Sequence, residues 1–111
     1  MRDPNNPCLF CNIKKSGLAE ENDLAYASYD TYPVTDHHCL IIPKRHIKDY
    51  FDLTKEEIIA CDQLIKKMKK KIEIKDNFVK GFNIGANSGK VAGQSIMHCH
   101  IHLIPRREGD V

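Results

Sequence analysis

The segment from Met97 to Pro105 reads MHCHIHLIP and places histidines at three alternate positions, 98, 100 and 102. Side chains alternate between the two faces of a β-strand, so a strand here puts the three imidazoles on one face. The row fits a polar strand face, a metal site, or catalysis in which one imidazole attacks and its neighbour stabilises the developing charge. Same-face neighbours lie about 7 Å apart, so the three reach a single ion only with favourable rotamers.

The loop that precedes the histidines favours a phosphate ligand. Residues 87–95 read NSGKVAGQS and lead directly into the triad. Glycines allow backbone N–H groups to approach an anion closely, and the side chains of Asn87 and Ser95 add hydrogen-bond donors. Hydrogen-bond donors beside clustered histidines suit the binding of a phosphate.

A second group of potential ligands lies near the N-terminus, where Cys8 and Cys11 have C-x-x-C spacing. This spacing is found in zinc knuckles and in redox pairs. Zinc usually takes four ligands, so the two cysteines form half a site and two further ligands must come from elsewhere.

Several segments show the periodicity of regular secondary structure. Strands are predicted at 23–30, 38–43, 81–86 and 97–104. Thr54 and Glu57 form a capping-box signature, and apolar residues then recur at helical spacing, which predicts a long helix over 54–73. Short connections favour antiparallel pairing, so the predicted fold class is α+β, with a single domain over residues 1–111.

The composition is that of an ordinary globular protein. The chain has 111 residues, of which 41% are hydrophobic and 29% charged, and its net charge is +2. No apolar run approaches the roughly 20 residues needed to span a bilayer, and the polar N-terminus does not resemble a signal peptide. Five cysteines fit a reducing compartment, so we expect a cytoplasmic protein with no membrane partner. The lysine run KKMKKK indicates a solvated helix face, and we expect no nucleic-acid partner.

The joint pattern resembles the histidine triad (HIT) superfamily of nucleotide hydrolases and transferases. The family motif is His-φ-His-φ-His-φ-φ, in which φ is apolar, and residues 98–104 match it. The lead-in GQS at 93–95 and the segment CLIIPKRH at 39–46 also match. CLFC at 8–11 resembles the zinc-bearing members.

The resemblance implies a HIT-like fold and a mechanism. The fold is an antiparallel sheet of about five strands with one long helix and a shorter one, in a protein that is usually a homodimer. His100 would attack the α-phosphorus of a nucleotide, and water would then cleave the nucleotidyl-histidine. An unperturbed imidazole has a pKa of about 6.5 and is mostly neutral at pH 7, as a nucleophile must be. His102 would donate to the phosphate oxygens.

The resemblance also assigns substrate-binding positions. Leu9 and Phe10 match positions of the base pocket, although Phe10 fits plain core packing equally well. Asp30 matches an acid that binds the ribose hydroxyls, and capping of a turn is its alternative. The positions that match contacts to the phosphate are Asn87, Gly93, Gln94 and Ser95.

In zinc-bearing relatives the remaining ligands match His46 and His98, which completes a structural site with Cys8 and Cys11. His38 is a rival for the fourth position. The other three cysteines lie in apolar sequence patterns, so we expect them to be buried free thiols: Cys39, Cys61 and Cys99.

The residues after the triad bear on substrate class. Ile104-Pro105-Arg106-Arg107 resembles the branch that hydrolyses dinucleoside polyphosphates such as diadenosine tetraphosphate, whereas phosphoramidases usually carry a glycine-rich turn there. Arg106 and Arg107 would meet extra phosphates or form a solvated basic tail. A purine nucleoside phosphoramidase and a nucleotide-binding or scaffolding module with little turnover stay as alternatives.

Overall fold

The structure is a computed structural model that describes residues 8–11 and 17–110. It contains five strands and one α-helix within these ranges: β1 (Leu18–Glu21), β2 (Ala25–Tyr29), β3 (Cys39–Pro43), α1 (Lys55–Lys75), β4 (Gly81–Gly85) and β5 (Ile101–Arg106). The family's shorter helix has no α-helical counterpart in the described ranges, where two 3₁₀ turns stand at Tyr50–Asp52 and Lys90–Ala92.

The five strands form one antiparallel sheet with the order β1-β2-β3-β5-β4. The predicted α+β class, with its five-stranded sheet and long helix, is confirmed. β1 was not predicted, because its sequence LAEE lacks both the alternation and the β-branched residues that mark a strand. Its place in the sheet comes from pairing with β2, which is a tertiary contact.

The helix α1 begins as its sequence predicts. The Thr54 hydroxyl accepts from the Glu57 amide at 3.1 Å, and the Glu57 carboxylate accepts from the Thr54 amide at 2.9 Å. This reciprocal cap satisfies two backbone donors that have no partner within the helix. The buried face of α1 includes Ala60, Leu64 and Met68, whereas Ile58 in the first turn is exposed.

The two faces of the sheet carry different chemistry. The face toward α1 is the main core, in which Ile41, Ile101 and Leu103 pack with Met68 and Ile72 of the helix. The opposite face has a smaller apolar cluster formed by Phe10, Tyr26, Leu40 and Ile42. Residues of even number on β5 point to this second face, so His102 lies across the sheet from the helix.

The last strand is shorter at its start than the predicted 97–104. β5 begins at Ile101, and the chain before it leaves the sheet. The amide of Cys99 donates to the carbonyl of Ile47 at 2.7 Å instead of to a neighbouring strand. The prediction from strand alternation therefore holds for His102 but does not explain how His98 and His100 are placed.

Within the described residues, no helix combines the length and the apolar character needed to cross a bilayer.

Candidate functional site

His100 is held in one tautomer by the backbone. Its Nδ1 lies 2.8 Å from the carbonyl oxygen of His98, and a carbonyl only accepts hydrogen bonds. Nδ1 therefore carries the proton, and in the neutral ring Nε2 keeps its lone pair. The ring is buried and packs edge-on against Phe10, with ring centroids 5.1 Å apart. This arrangement leaves an unprotonated nitrogen as the reactive atom.

His102 is held in the other tautomer by a histidine from a different element. The Val34 amide donates to Nδ1 of His38 at 3.0 Å, so the neutral His38 ring carries its proton on Nε2. That Nε2 lies 3.0 Å from Nδ1 of His102. His38 thus donates to His102, whose own proton must be on Nε2. Two adjacent rings, with centroids 5.2 Å apart, therefore present a lone pair on one and an N–H on the other.

Burial keeps His38 and His102 neutral. Desolvation lowers the pKa of His38, an effect that the Asp30 carboxylate opposes and the Arg106 charge reinforces. Desolvation also lowers the pKa of His102, and the neighbouring His100 and His38 add to the effect. Both rings are therefore neutral at pH 7, as the hydrogen-bond chain requires.

A tight turn brings His38 to this place. The His38 amide donates to the Thr35 carbonyl at 3.1 Å, and His37 has a φ of 70°, in the left-handed region that few non-glycine residues adopt. Asp30 stands at the start of the same loop. One of its oxygens accepts from the Tyr32 amide at 2.9 Å, and the other lies 3.6 Å from Nε2 of His38. Asp30 therefore caps a turn and also borders the histidine pair.

The structure places His38 apart from the two cysteines, for which the sequence makes it a rival zinc ligand. His38 lies with His102 and Asp30, whereas the cysteines group with His46 and His98. The signal that finds it is the register of β3 and β5, in which Leu40 opposes His102. Register is a tertiary property, so the sequence alone did not show this contact.

The loop 87–95 lies beside the triad and is held by its own side chains. Gln94 is buried, and its amide donates to the carbonyls of Lys48 and Ile96 at 2.8 and 2.9 Å. Its side-chain oxygen accepts from the Gly89 amide at 2.8 Å. The Ser88 hydroxyl donates to Asp49 at 2.6 Å. The Gln94 side chain is thus used inside the loop, and its backbone amide also donates within the loop, to the Gly89 carbonyl at 3.1 Å.

Gly93 is required where it stands. Its φ of 96° is unfavourable for a residue with a Cβ, and a Cβ there would come within 3.3 Å of the Asn87 side chain. That Asn87 amide lies 3.4 Å from the Gly93 carbonyl. Ser95 is exposed, and its side chain makes no hydrogen bond within residues 8–11 and 17–110, so its hydroxyl is accessible to a ligand. The structure therefore brings Asn87 to Gly93, two residues before Ser95.

The two predicted base-pocket residues differ in burial. Leu9 is 63% exposed, whereas Phe10 is 6% exposed and packs in the apolar cluster with Tyr26, Leu40 and Ile42. The Tyr26 hydroxyl also donates to the Phe10 carbonyl at 2.6 Å. Phe10 therefore belongs to the core and at the same time forms a wall beside His100.

The other end of the triad is a candidate metal centre. One ligand atom from each of Cys8, Cys11, His46 and His98 lies within 4.8 Å of the other three. The Cys8 and Cys11 sulfurs lie 3.3 and 3.5 Å from Nδ1 of His98, and the Cys11 sulfur lies 3.1 Å from Nδ1 of His46. Such spacings suit four ligands at tetrahedral zinc distances of 2.0–2.3 Å from one ion.

The tautomer of His98 fits this role. Its Nε2 lies 2.7 Å from the Pro43 carbonyl, so Nε2 donates and Nδ1 turns its lone pair toward the sulfurs. Metal-bound histidines characteristically donate their other N–H to a carbonyl or carboxylate. Burial lowers the pKa of His98, which keeps the ring neutral as ligation requires. The donor set of two thiols and two imidazoles thus fits a metal ion.

The first turn of the long helix supports this centre. Arg45 precedes His46, and its guanidinium donates to both carboxylate oxygens of Glu57 at 3.0 and 2.8 Å. These charge-assisted bonds lower the pKa of Glu57 to about 2. The helix cap is thereby linked to the segment that carries His46, a candidate metal ligand.

The remaining thiols are buried, as expected. Burial raises the pKa of Cys99 to about 11 and the pKa values of Cys39 and Cys61 to about 12. Such thiols stay protonated and unreactive at neutral pH.

Comparison with known proteins defines the class. The model of the HIT domain matches residues 13–109, and the chain belongs to this family. A crystal structure of a zinc-bound histidine triad family protein from Mycobacterium smegmatis has a TM-score of 0.82 and 29% identity, covering 94% of this chain and 78% of that chain.

Two further relatives carry names that describe activities. The diadenosine triphosphate hydrolase of Plasmodium falciparum has a TM-score of 0.82 and 32% identity, covering 89% of this chain and 67% of that chain. The adenosine 5'-monophosphoramidase HNT1 of Saccharomyces cerevisiae is 33% identical, over 91% of this chain and 63% of that protein.

Proposed function

We propose that this protein is a nucleotide hydrolase that cleaves at the α-phosphate of dinucleoside polyphosphates, such as diadenosine tetraphosphate, through a covalent intermediate on His100. The observation that carries the proposal is the opposite tautomers of His100 and His102. A lone pair and an N–H donor side by side are what attack on a phosphorus atom and stabilisation of its oxygens require.

The first step forms the N–P bond and breaks a P–O bond. Nε2 of His100 attacks the α-phosphorus, the bridging oxygen leaves with the rest of the phosphate chain, and the His98 carbonyl stabilises the proton on Nδ1 as the ring becomes cationic. Nε2–H of His102 donates to a non-bridging oxygen, together with the backbone amide of Ser95 and the side chains of Asn87 and Ser95. The amides of Gly93 and Gln94 donate to the carbonyls of Lys90 and Gly89 and so hold the loop in place beside the phosphate. Water then attacks the same phosphorus and loses a proton to solvent, the electrons of the N–P bond return to Nε2, and nucleoside monophosphate and neutral His100 are released.

The nucleoside is held on the side of β2 and β3. Phe10 walls this side of His100, Leu9 borders it, and Asp30 lies where it can accept from ribose hydroxyls. His38 orients His102 through its ring. The role of His38 is therefore that of a positioning residue.

Substrate class is assigned from the residues after the triad. The segment Ile104-Pro105-Arg106-Arg107 lacks the glycines of phosphoramidases, and the similarity to a diadenosine triphosphate hydrolase supports the same assignment. The similarity to an adenosine 5'-monophosphoramidase supports a purine nucleoside phosphoramidase as the second candidate.

A paired hydrolysis assay tests the proposal. Wild type and His100→Ala are each offered diadenosine tetraphosphate and, separately, adenosine 5'-phosphoramidate, and release of AMP is followed. We expect release from the tetraphosphate by the wild type alone. Release mainly from the phosphoramidate would keep the mechanism and change the substrate class. Equal rates for wild type and His100→Ala, with tight nucleotide binding, would favour a binding or scaffolding module.

We further propose that the metal centre binds Zn²⁺ in a structural role through Cys8, Cys11, His46 and His98. The set supplies four protein ligands, which is the hallmark of structural rather than catalytic zinc sites. A bound ion would tie the segment 8–11 to the chain just before His100 and so hold Phe10 against the nucleophile.

We propose finally that the protein acts in the cytoplasm as a homodimer that pairs through β4. This strand is at the edge of the sheet, and an unpaired edge is a template for another strand. Two large apolar side chains near this edge are exposed, Ile84 at 59% and Phe51 at 82%. Light scattering of wild type and Ile84→Lys tests this, with a dimer expected for the former and a monomer for the latter.

A further inference from the structure

The two arginines that follow the triad lie in different environments. The guanidinium of Arg107 donates to the Asp76 carboxylate at 2.9 and 3.1 Å and to the Asp36 carbonyl at 3.1 Å. Its side chain is 19% exposed, and a second carboxylate, that of Asp110, lies 3.9 Å away. The charge of Arg107 is thus used inside the protein.

Arg106 has no such partner. Its Nε donates to the Asn83 side-chain oxygen at 2.6 Å, and no carboxylate of residues 8–11 or 17–110 lies within 4.0 Å of its guanidinium. Because side chains alternate along β5, Arg106 points to the same face as His102 and Ile104. An unpaired cation therefore faces the side of the sheet on which the triad lies.

A groove connects the two ends of this face. It has a volume of about 450 Å³ and runs over β4 and β5, from His102 and Asn87 at one end to Asn83 at the other, with Ile84 and Ile104 between them. Asn83 lines the groove and accepts from Arg106, so the guanidinium borders the groove at this end. Val34 and His38 also line the groove beside His102, whereas Phe10 does not.

The spacing suits a chain of phosphates. His102 and Arg106 are four residues apart on one strand, which puts their Cα atoms about 13 Å apart. A single phosphate bound at His102 lies short of Arg106, whereas a chain that continues along the groove approaches its guanidinium. Guanidinium groups bind phosphate oxygens through paired, charge-assisted hydrogen bonds. The charge of Arg106 also contributes to lowering the pKa of His38, so its field extends to the histidine pair.

We propose that this groove is the leaving-group subsite and that Arg106 determines specificity by binding phosphates beyond the α-phosphate. The inference rests on the proposed function and deepens it. The ligand class is a linear polyphosphate carried by a nucleoside. Arg107, by contrast, only stabilises the end of the sheet.

Binding measurements test the subsite without requiring turnover. Calorimetry at low salt compares AMP with α,β-methylene-ATP, in which a methylene bridge prevents cleavage at the α-phosphate. The proteins are wild type, Arg106→Gln and Lys66→Gln. Lys66→Gln is the matched control for the loss of one positive charge, because the Lys66 side chain lies on α1 and is 74% exposed. We expect Arg106→Gln to weaken the ATP analogue at least 10-fold and AMP less than 2-fold. Lys66→Gln should change neither by more than 2-fold.

Equal losses for the two nucleotides, or no loss for the analogue, would overturn the subsite. Hydrolysis assays on the same preparations separate this failure from failure of the proposed function. Hydrolysis with an unchanged binding ratio would refute the role of Arg106 alone. A selective loss of binding without any hydrolysis would support the subsite and refute the proposed reaction. If neither nucleotide binds the wild type, both proposals are refuted. Arg107→Gln provides a second comparison, with a lowered melting temperature and an unchanged ratio of the two affinities.

Discussion

The two ends of the triad contain the same residue type and differ in what holds each ring. His98 is fully buried, donates through Nε2 to the Pro43 carbonyl and turns Nδ1 toward two sulfurs. His102 is half-buried, accepts at Nδ1 from His38 and leaves Nε2–H for a ligand. His100 lies between them with Nδ1 bonded to a carbonyl. The partner of one nitrogen decides what the other nitrogen can do, so the three histidines of one motif present three different hydrogen-bonding states, from which we propose three different roles.

The largest expected effect is the loss of activity when His100, the middle histidine of the triad, is removed without disturbing His98 or His102. His100→Ala should lower kcat by more than roughly 10⁴-fold, the upper end of what a general acid or base contributes, because it removes the nucleophile itself. Zinc content and melting temperature should stay close to those of the wild type. Single-turnover assays with metal analysis on the same samples measure both. A variant that retains a tenth of the wild-type rate would disprove the covalent mechanism.

The metal end should control stability. Cys11→Ser should abolish stoichiometric zinc and lower the free energy of unfolding by more than about 4 kcal/mol, since loss of a metal site is among the few changes that exceed this value. Denaturant titration with and without a chelator measures the effect. Cys39→Ala is the matched control at a buried thiol outside the centre. It should keep stoichiometric zinc and lose stability on chelation as the wild type does, whereas Cys11→Ser should not respond to the chelator. Substoichiometric zinc in wild type purified without added metal, together with indifference to chelation, would refute the zinc proposal.

Changes at the His102 end of the triad should lower activity and leave the zinc content unchanged. His38→Leu removes the donor to His102 and should lower kcat roughly 10- to 100-fold, the usual effect of losing a partner that orients an imidazole. Zinc content should be unchanged. His38→Gln retains an N–H donor of similar reach and should recover part of the loss. If Leu and Gln variants are equally impaired, the orientation of His102 by this hydrogen bond is not what His38 contributes.

The pH dependence of His38 and His102 provides a test with a smaller expected effect. Burial lowers the pKa of His38 and His102 from the ordinary value of 6.5, so NMR titration should give midpoints below 6.5 for both rings. The unfolded chain then binds more protons than the folded one as the pH falls below 6.5. The contribution of these residues to stability is therefore present above that pH and is lost on acidification. Midpoints above 6.5 would mean that Asp30 outweighs desolvation, and burial would not be what keeps the two rings neutral.

The smallest expected effect concerns the support for the metal end. Thr54→Ala removes the side-chain cap of α1 and should cost about 1 kcal/mol of unfolding free energy, as at other helix caps. The bond between Arg45 and Glu57 should persist, so zinc affinity should change little. Thermal unfolding and metal competition measure the two quantities. Thr54→Ser keeps the hydroxyl and serves as the control with near wild-type stability. A large loss of zinc in Thr54→Ala would show that the cap and the metal centre are coupled.

The sequence alone determined the local features of this protein. The capping box and apolar periodicity defined α1, because both depend on residues within a few positions of each other. The strands β2, β3 and β4 were predicted by short apolar or alternating runs. The triad motif, its GQS lead-in and the C-x-x-C spacing indicated the family, and the HIT model match confirms it.

The tertiary structure decided the contacts between segments that are distant in the sequence. The grouping of Cys8 and Cys11 with His46 and His98 joins residues up to 90 positions apart, and from the residues alone the half site left its remaining ligands open. The pairing of His38 with His102 depends on the register of β3 and β5, which no local pattern encodes. Arg106 and Arg107 are adjacent and chemically identical, yet strand alternation sends one to the face of the groove, and the other forms ion pairs with Asp76 and Asp110. Residue type sets what a side chain can do, and the partner brought to it by folding selects which of those functions it performs.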